Sequence, residues 1–108
     1  MRSLPHPTRE QLELPAILDA LSDPTRLKLF IEISQRDESP CGAFTHLASK
    51  TNVTYHVQRL REAGLVWVRI QGTSRLISLR REDVDARFPG LLDSILAAAR
   101  DAVAMEEV

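Results

Sequence analysis

At 108 residues, with a formal net charge of −1 and 44% apolar residues, the chain has the composition of one small soluble globular domain. No apolar run reaches the roughly 18 residues a membrane span requires, and the stretch from Met1 to Pro7 has no apolar signal core, which points to the cytoplasm. One cysteine, Cys41, excludes an internal disulfide framework. No Gly-rich phosphate loop, metal triad or nucleophile elbow is present, so nothing supports an enzyme.

Residues 1–9, with Pro5 and Pro7, read as a flexible arm, and residues 10–105 as a single domain. Leu14, Ile17, Leu18 and Leu21 fall at helical spacing within Gln11 to Leu21, where Pro15 is tolerable only in a first turn. Ser22-Asp23-Pro24-Thr25 is a helix start, a capping side chain followed by proline at the first helical position. Leu27, Phe30, Ile31 and Ile33 carry that helix to about Gln35. After the charged loop from Arg36 to Pro40, a short helix is expected from Gly42 to Ala48, burying Ala43, Phe44 and Leu47.

Ser49 can cap the next helix, which should run to Ala63 and stop at Gly64 in a left-handed cap. Leu65 to Ile70 and Arg75 to Leu79 then read as two strands joined by a turn at Gln71-Gly72-Thr73-Ser74. From Glu82 helix returns, with Val84, Phe88, Leu91, Leu92, Ile95 and Leu96 as its stripe and Pro89 marking a kink or a new start. The expected class is mainly α with a small β-hairpin: five helices plus a two-stranded wing. The stripes of Leu14, Ile17 and Leu18 and of Leu91, Leu92, Ile95 and Leu96 exceed the needs of one small core, and they are the candidate surface of a homodimer.

Charge is concentrated in one place. Between Lys50 and Arg81 there are seven basic residues and one acid, Glu62, a balance of +6 in a chain that totals −1. A basic helix running into a basic hairpin can meet the phosphates of a duplex. In the helix, Val53, Val57 and Leu60 form the core stripe, which leaves Thr51, Tyr55, Gln58 and Arg59 opposite, with Asn52 on the flank. These residue types can read base edges. Ser49, Lys50 and the first-turn amides sit where a phosphate settles at a helix N-terminus. Arg69 and Arg75 flank the hairpin turn and should reach the backbone. The plainer reading is that this face is simply solvated, and its freedom from acid counts against that. His56 lies beside the apolar stripe and reads as a partly buried histidine bonded to a backbone carbonyl or a phosphate. Trp67 is expected to pack against a neighbouring helix.

Leu21-Ser22-Asp23-Pro24-Thr25-Arg26-Leu27 resembles the opening of the second helix in ArsR-type (arsenic-repressor-like) winged helix-turn-helix regulators. The run Thr54-Tyr55-His56-Val57-Gln58-Arg59-Leu60-Arg61-Glu62-Ala63-Gly64-Leu65-Val66 is similar to their recognition helix and first wing strand, with Thr54 and Val57 standing where serine and leucine are usual. The resemblance implies a dimeric transcription regulator, usually a repressor, that packs through its first and last helices and binds double-stranded DNA at a palindrome. It places Thr51, Asn52, Thr54, Tyr55, Gln58 and Arg59 at base- or phosphate-contacting positions, and Arg69, Gly72 and Arg75 on the wing.

Members of this family that sense soft metals use several cysteines, and Cys41 alone cannot build such a site. The other familiar site needs histidines on the last helix, where this chain has acids but no histidine. No metal and no cofactor are therefore expected, although Cys41, His46 and His6 of the partner subunit could form a scattered set. Cys41 remains a candidate redox residue, with a thiol pKa lowered if it lies at a first helical turn. The alternative for Cys41 is a small apolar filler. An unknown small-molecule effector is compatible with the sequence, as is a winged-helix protein-interaction module that binds no DNA.

Overall fold

Local signals set most of the helix boundaries in the computed structural model, which describes residues 4–106 and their side chains as far as Asp101. A 3₁₀ turn, Arg9–Gln11, precedes helix α1 (Leu14–Ala20). The helix starts later than Gln11 because Pro15 has no amide to donate and must occupy the first turn. Helix α2 (Pro24–Ser34) opens as expected, with the Asp23 carboxylate accepting the Arg26 amide at 2.9 Å. Helix α3 (Lys50–Glu62) is capped by Ser49, whose Oγ accepts the Asn52 amide at 3.2 Å.

α3 ends at Gly64, with φ +84°. There the Leu65 amide returns to the Leu60 carbonyl and the Gly64 amide to the Arg61 carbonyl, both at 3.0 Å, the paired closure of a Schellman cap. The helix expected from Gly42 to Ala48 is only a 3₁₀ turn, Cys41–Phe44, anchored by the fully buried Phe44. So short a segment between Pro40 and the Ser49 cap has no room for several α-helical turns.

The wing has three strands where two were expected. β1 (Ser39–Pro40), β2 (Val66–Gln71) and β3 (Ser74–Leu79) form an antiparallel sheet in the order β1-β3-β2. β1 is two residues long and pairs Ser39 with Ile77 and Pro40 with Leu76. The charged loop concealed it, and its proline sits where no ladder amide is needed. Gln71 pairs with Ser74, so Gly72 (φ +61°) and Thr73 make the tight connection. The last helix is likewise divided: α4 (Arg81–Arg87) and α5 (Leu91–Glu106) are separated at Pro89 and Gly90 (φ +83°). The five α-helices are thus not the expected five. The helix expected before α3 is reduced to a 3₁₀ turn, and one helix is gained after the wing.

The core lies where α2 meets α3, α5 and the sheet, around Phe30, Ile33, Phe44, Leu60, Leu65, Val66, Ile77 and Leu92. Where a loose arm was expected, residues 4–8 bind the body of the domain; residues 1–3 lie outside the described residues. The Val68 amide, at the open edge of β2, donates to His6 Nε2 at 3.0 Å. Arg61 at the end of α3 donates to the Pro5 carbonyl. The buried Arg80 guanidinium donates to the Pro7 carbonyl at 2.7 Å and to Asp83 at 2.8 Å. Asp83 also accepts from Arg9 at 2.8 Å, and that hydrogen bond, with help from Arg80, holds its carboxyl below the ordinary carboxylate range. Trp67, expected to pack against a neighbouring helix, stands exposed on β2. The Arg80 guanidinium lies 3.9 Å over its ring and His6 tilts against it with centroids 5.1 Å apart.

Candidate nucleic-acid interface

α3 buries Val53, Val57 and Leu60 and presents Lys50, Thr51, Asn52, Thr54, Tyr55 and Gln58 to solvent. Hydrogen bonding already assigns some of these groups. Ser49 Oγ is an acceptor to the helix, which leaves its hydroxyl proton for an outside acceptor such as a phosphate. The Thr54 hydroxyl donates to the Lys50 carbonyl at 3.0 Å and has no second proton for a phosphate. Thr51, Asn52, Tyr55 and Gln58 keep their polar side-chain groups available to a ligand among the described residues.

Arg59 differs from the reading of its sequence position. It lies on the flank facing α1, half-buried, with Nη2 3.3 Å from Asp19 Oδ2 and Nη1 3.7 Å from Glu62 Oε1. Its Nε is buried without an acceptor, beside a small hollow lined by Ala16, Ala20 and Ala63. His56 is half-buried as expected, and its ring faces a guanidinium where a backbone carbonyl was one expectation. Nδ1 lies 3.2 Å from Nη1 of the buried Arg26, and because a guanidinium can only donate, Nδ1 is the unprotonated nitrogen in this contact. Arg26 Nε in turn donates to the Ala20 carbonyl, joining α2, α1 and α3 behind the exposed face.

Folding also redistributes the charge. Of the seven basic residues from Lys50 to Arg81, Arg69 is held by Glu38 through two hydrogen bonds of 2.8 and 3.3 Å. Those bonds pull the Glu38 carboxyl below its ordinary range. Arg81 faces Asp93 at 3.0 Å and Asp85 at 3.5 Å, Arg80 is bound to Asp83, and Arg61 is bound to Pro5. Of these seven, Lys50 and Arg75 alone have no hydrogen-bond or ion-pair partner among the described residues. They flank one open cleft of about 430 Å³ between the start of α3 and the wing tip, which Thr54, Ser74 and Cys41 also line. Asp19 and Glu38 were missed as parts of this face, because both lie outside the basic segment and only the fold brings them to it.

Over 83 residues the chain is 34% identical to YceK of Bacillus subtilis (strain 168), an uncharacterised HTH-type transcriptional regulator, covering 73% of this chain and 82% of that protein. A solution structure of the homodimeric winged helix-turn-helix DNA-binding domain of Mb0332 from Mycobacterium bovis, described as a possible ArsR-family regulator, superposes with a TM-score of 0.61. It is 27% identical, and the match covers 76% of each chain. An ArsR-like regulator from Rhodococcus sp. RHA1 shares the fold, with a TM-score of 0.62 at 19% identity over 87% of this chain and 90% of that one. No protein-family model matches the chain.

The chain belongs to the ArsR-type winged helix-turn-helix transcriptional regulators. The relatives are transcriptional regulators and not enzymes. Among the described residues no group of three or more His, Cys, Asp or Glu side chains is placed to hold a metal ion, and no helix is long and apolar enough to cross a membrane. His46 is bound to Glu32 at 2.9 Å, and His6 to Val68, on different elements from Cys41. Cys41 is half-buried, and burial pushes its thiol pKa up, partly opposed by Arg75 and Lys50, against the lowering expected at a first helical turn. Its 3₁₀ turn is too short to offer the dipole of a full helix.

The residues expected at a dimer surface divide in two. Ile17, Leu92 and Leu96 are buried inside the single subunit, because α1 and α5 use those positions to close its own core. Leu14 and Leu18 are exposed, and Leu91 and Ile95 are half-buried.

Proposed function

We propose that this chain is a sequence-specific DNA-binding repressor that acts as a homodimer on a palindromic operator and responds to a signal other than a bound metal. The observation that carries this reading is the solvent-facing side of α3. On it Thr51, Tyr55 and Gln58 stand one turn apart, opposite the core stripe, and the helix begins beside the free cations Lys50 and Arg75. An α-helix fits the major groove, where Gln pairs with adenine and the methyl of Thr meets thymine. The amides at the start of α3, the Ser49 hydroxyl, Lys50, Asn52 and Thr54 then lie toward one phosphate strand.

Arg75 at the wing tip grips the same strand from the other side of the cleft, and Arg59 and Arg69 join once their acids are displaced. Residues 10–105 act as one unit. Leu14 and Leu18 of α1, with Leu91 and Ile95 of α5, form the contact between subunits, which sets two copies of α3 about 34 Å apart, one turn of B-DNA. Support for the dimer comes from the exposure of Leu14 and Leu18 and from the homodimeric state of the Mycobacterium bovis domain.

The test is salt-titrated binding to a duplex selected from a random pool. Gln58→Ala should cost about 1–3 kcal/mol on the selected duplex and nothing on an unrelated one. Lys50→Ala and Arg75→Ala should weaken both alike and flatten the salt dependence. Unchanged preference in Gln58→Ala and Arg59→Ala would overturn the assignment of α3 as the reading helix.

A further inference from the structure

Two of the cations on this face are occupied by acids that come from elsewhere in the chain. Asp19 in α1 holds Arg59, and Glu38 in the loop before β1 holds Arg69. Both pairs are open to solvent: the arginine side chains are 41% and 55% exposed, and Asp19 is 70% exposed. Such pairs are weak and exchangeable, because water and salt screen them and both side chains lose rotamer freedom. The pair at Arg59 is further weakened by its Nε, which is buried without an acceptor in the docked position and would gain one on leaving it. A phosphate, or the O6/N7 edge of guanine, accepts two guanidinium N–H groups at once and competes for the donors the carboxylates now hold.

We propose that Asp19 and Glu38 are built-in counter-anions that attenuate DNA affinity: they occupy Arg59 and Arg69 in the free protein and must be displaced from them when DNA binds. This rests on the reading of Arg59 and Arg69 as DNA-contacting residues. The exchange is balanced in charge. Where an arginine trades a carboxylate for a phosphate, the freed carboxylate takes up a cation from solution. That uptake cancels the release of one cation from the DNA. At such a position binding gains no net ion release, and the salt dependence of DNA binding by the parent chain reflects chiefly Lys50 and Arg75.

The experiment compares Asp19→Asn, Glu38→Gln and the double variant with the parent chain. Each is titrated across a range of potassium chloride concentrations with a mixed-sequence duplex and with a duplex selected from a random pool. Both substitutions are at exposed, nearly isosteric positions and leave the core untouched. Each should tighten binding to both duplexes about two- to fivefold near physiological salt, the range of an exposed ion pair. Each should also steepen the slope of log affinity against log salt by up to about one. The ratio between the duplexes should stay where it is, because the same pair is broken on either.

Weaker binding of Asp19→Asn to the selected duplex would overturn the proposal and make Asp19 a support that aims Arg59 at a base. Unchanged affinity and slope in the double variant would overturn it as well. The cycle with Arg59→Ala separates this inference from the reading beneath it. If Arg59→Ala weakens binding and removes the gain from Asp19→Asn, both stand. If Arg59→Ala weakens binding but the gain persists, Asp19 acts as a bulk charge and the counter-anion role is lost. If Arg59→Ala has no effect on either duplex, the readout assignment itself fails.

Discussion

Gly64→Ala should be among the most destabilising single-methyl additions in this chain. The left-handed backbone at φ +84° costs an L-residue about 1–2 kcal/mol. The added Cβ would also stand 1.9 Å from Leu12 Cδ2 and 3.3 Å from Pro7 Cγ. Leu12 is only 1% exposed, so it must move by more than an ångström within packed surroundings, an overpacking cost of about 1–3 kcal/mol. Together these give about 2–5 kcal/mol, a large fraction of the ~5–15 kcal/mol by which a domain is stable.

Urea unfolding followed by far-UV circular dichroism measures the loss, and thermal melting should fall on the order of 10–30 °C. A double-mutant cycle divides the two causes. Leu12→Ala alone should cost about 2–5 kcal/mol through its cavity. In that background Gly64→Ala should cost only the backbone part, about 1–2 kcal/mol. Equal costs in the two backgrounds, or a cost below about 1 kcal/mol in the parent chain, would refute the claim that Leu12 and the end of α3 are locked together at this glycine.

Burial, with Arg61 and Arg80 adding repulsion and the Leu4 backbone partly opposing, lowers the His6 pKa below 6.5. The unfolded chain therefore takes up this proton first as pH falls; the His6 contribution is intact above about pH 6.5 and lost below the folded-state pKa. Once protonated, Nε2 cannot accept the Val68 amide. His6→Gln should accordingly flatten the fall in urea stability between about pH 7.5 and about pH 5.5, and parallel curves would count against the His6 contact. With its pKa raised by burial, Cys41 should be alkylated by iodoacetamide more slowly than a free thiol at neutral pH, and more slowly still in Arg75→Ala. Reaction as fast as free glutathione would restore a redox role. Leu18→Glu should convert a dimer into a monomer of 12.1 kDa in sedimentation and weaken operator binding. A parent chain already monomeric at micromolar concentration would remove the dimer.

Much of this architecture was legible because its determinants are local. The Asp23-Pro24 and Ser49 caps, the Gly64 stop and the stripe of Val53, Val57 and Leu60 act within a turn or two of themselves, and the helices begin and end accordingly. What escaped the sequence depends on distant partners. Two-residue β1 exists only because β3 runs beside it. The apolar stripes do not say which leucines a subunit keeps: Ile17 is buried while Leu18, its neighbour, is exposed.

The charge of the site was the least legible part. A tally of +6 in one segment is correct as counting. It cannot show that Asp19, Glu38 and Asp83 fold onto Arg59, Arg69 and Arg80. Trp67 was misplaced for the same reason, since its partners His6 and Arg80 are 61 and 13 positions away in the chain.

Selection of bound duplexes from a random pool, carried out with the unmodified chain and repeated at raised salt, tests the proposed DNA-reading role of α3 most directly. A two-fold symmetric motif is expected, with half-sites about 10 bp apart between centres and enrichment that weakens steeply as salt rises. A pool that returns no motif, or binding indifferent to salt, would contradict it.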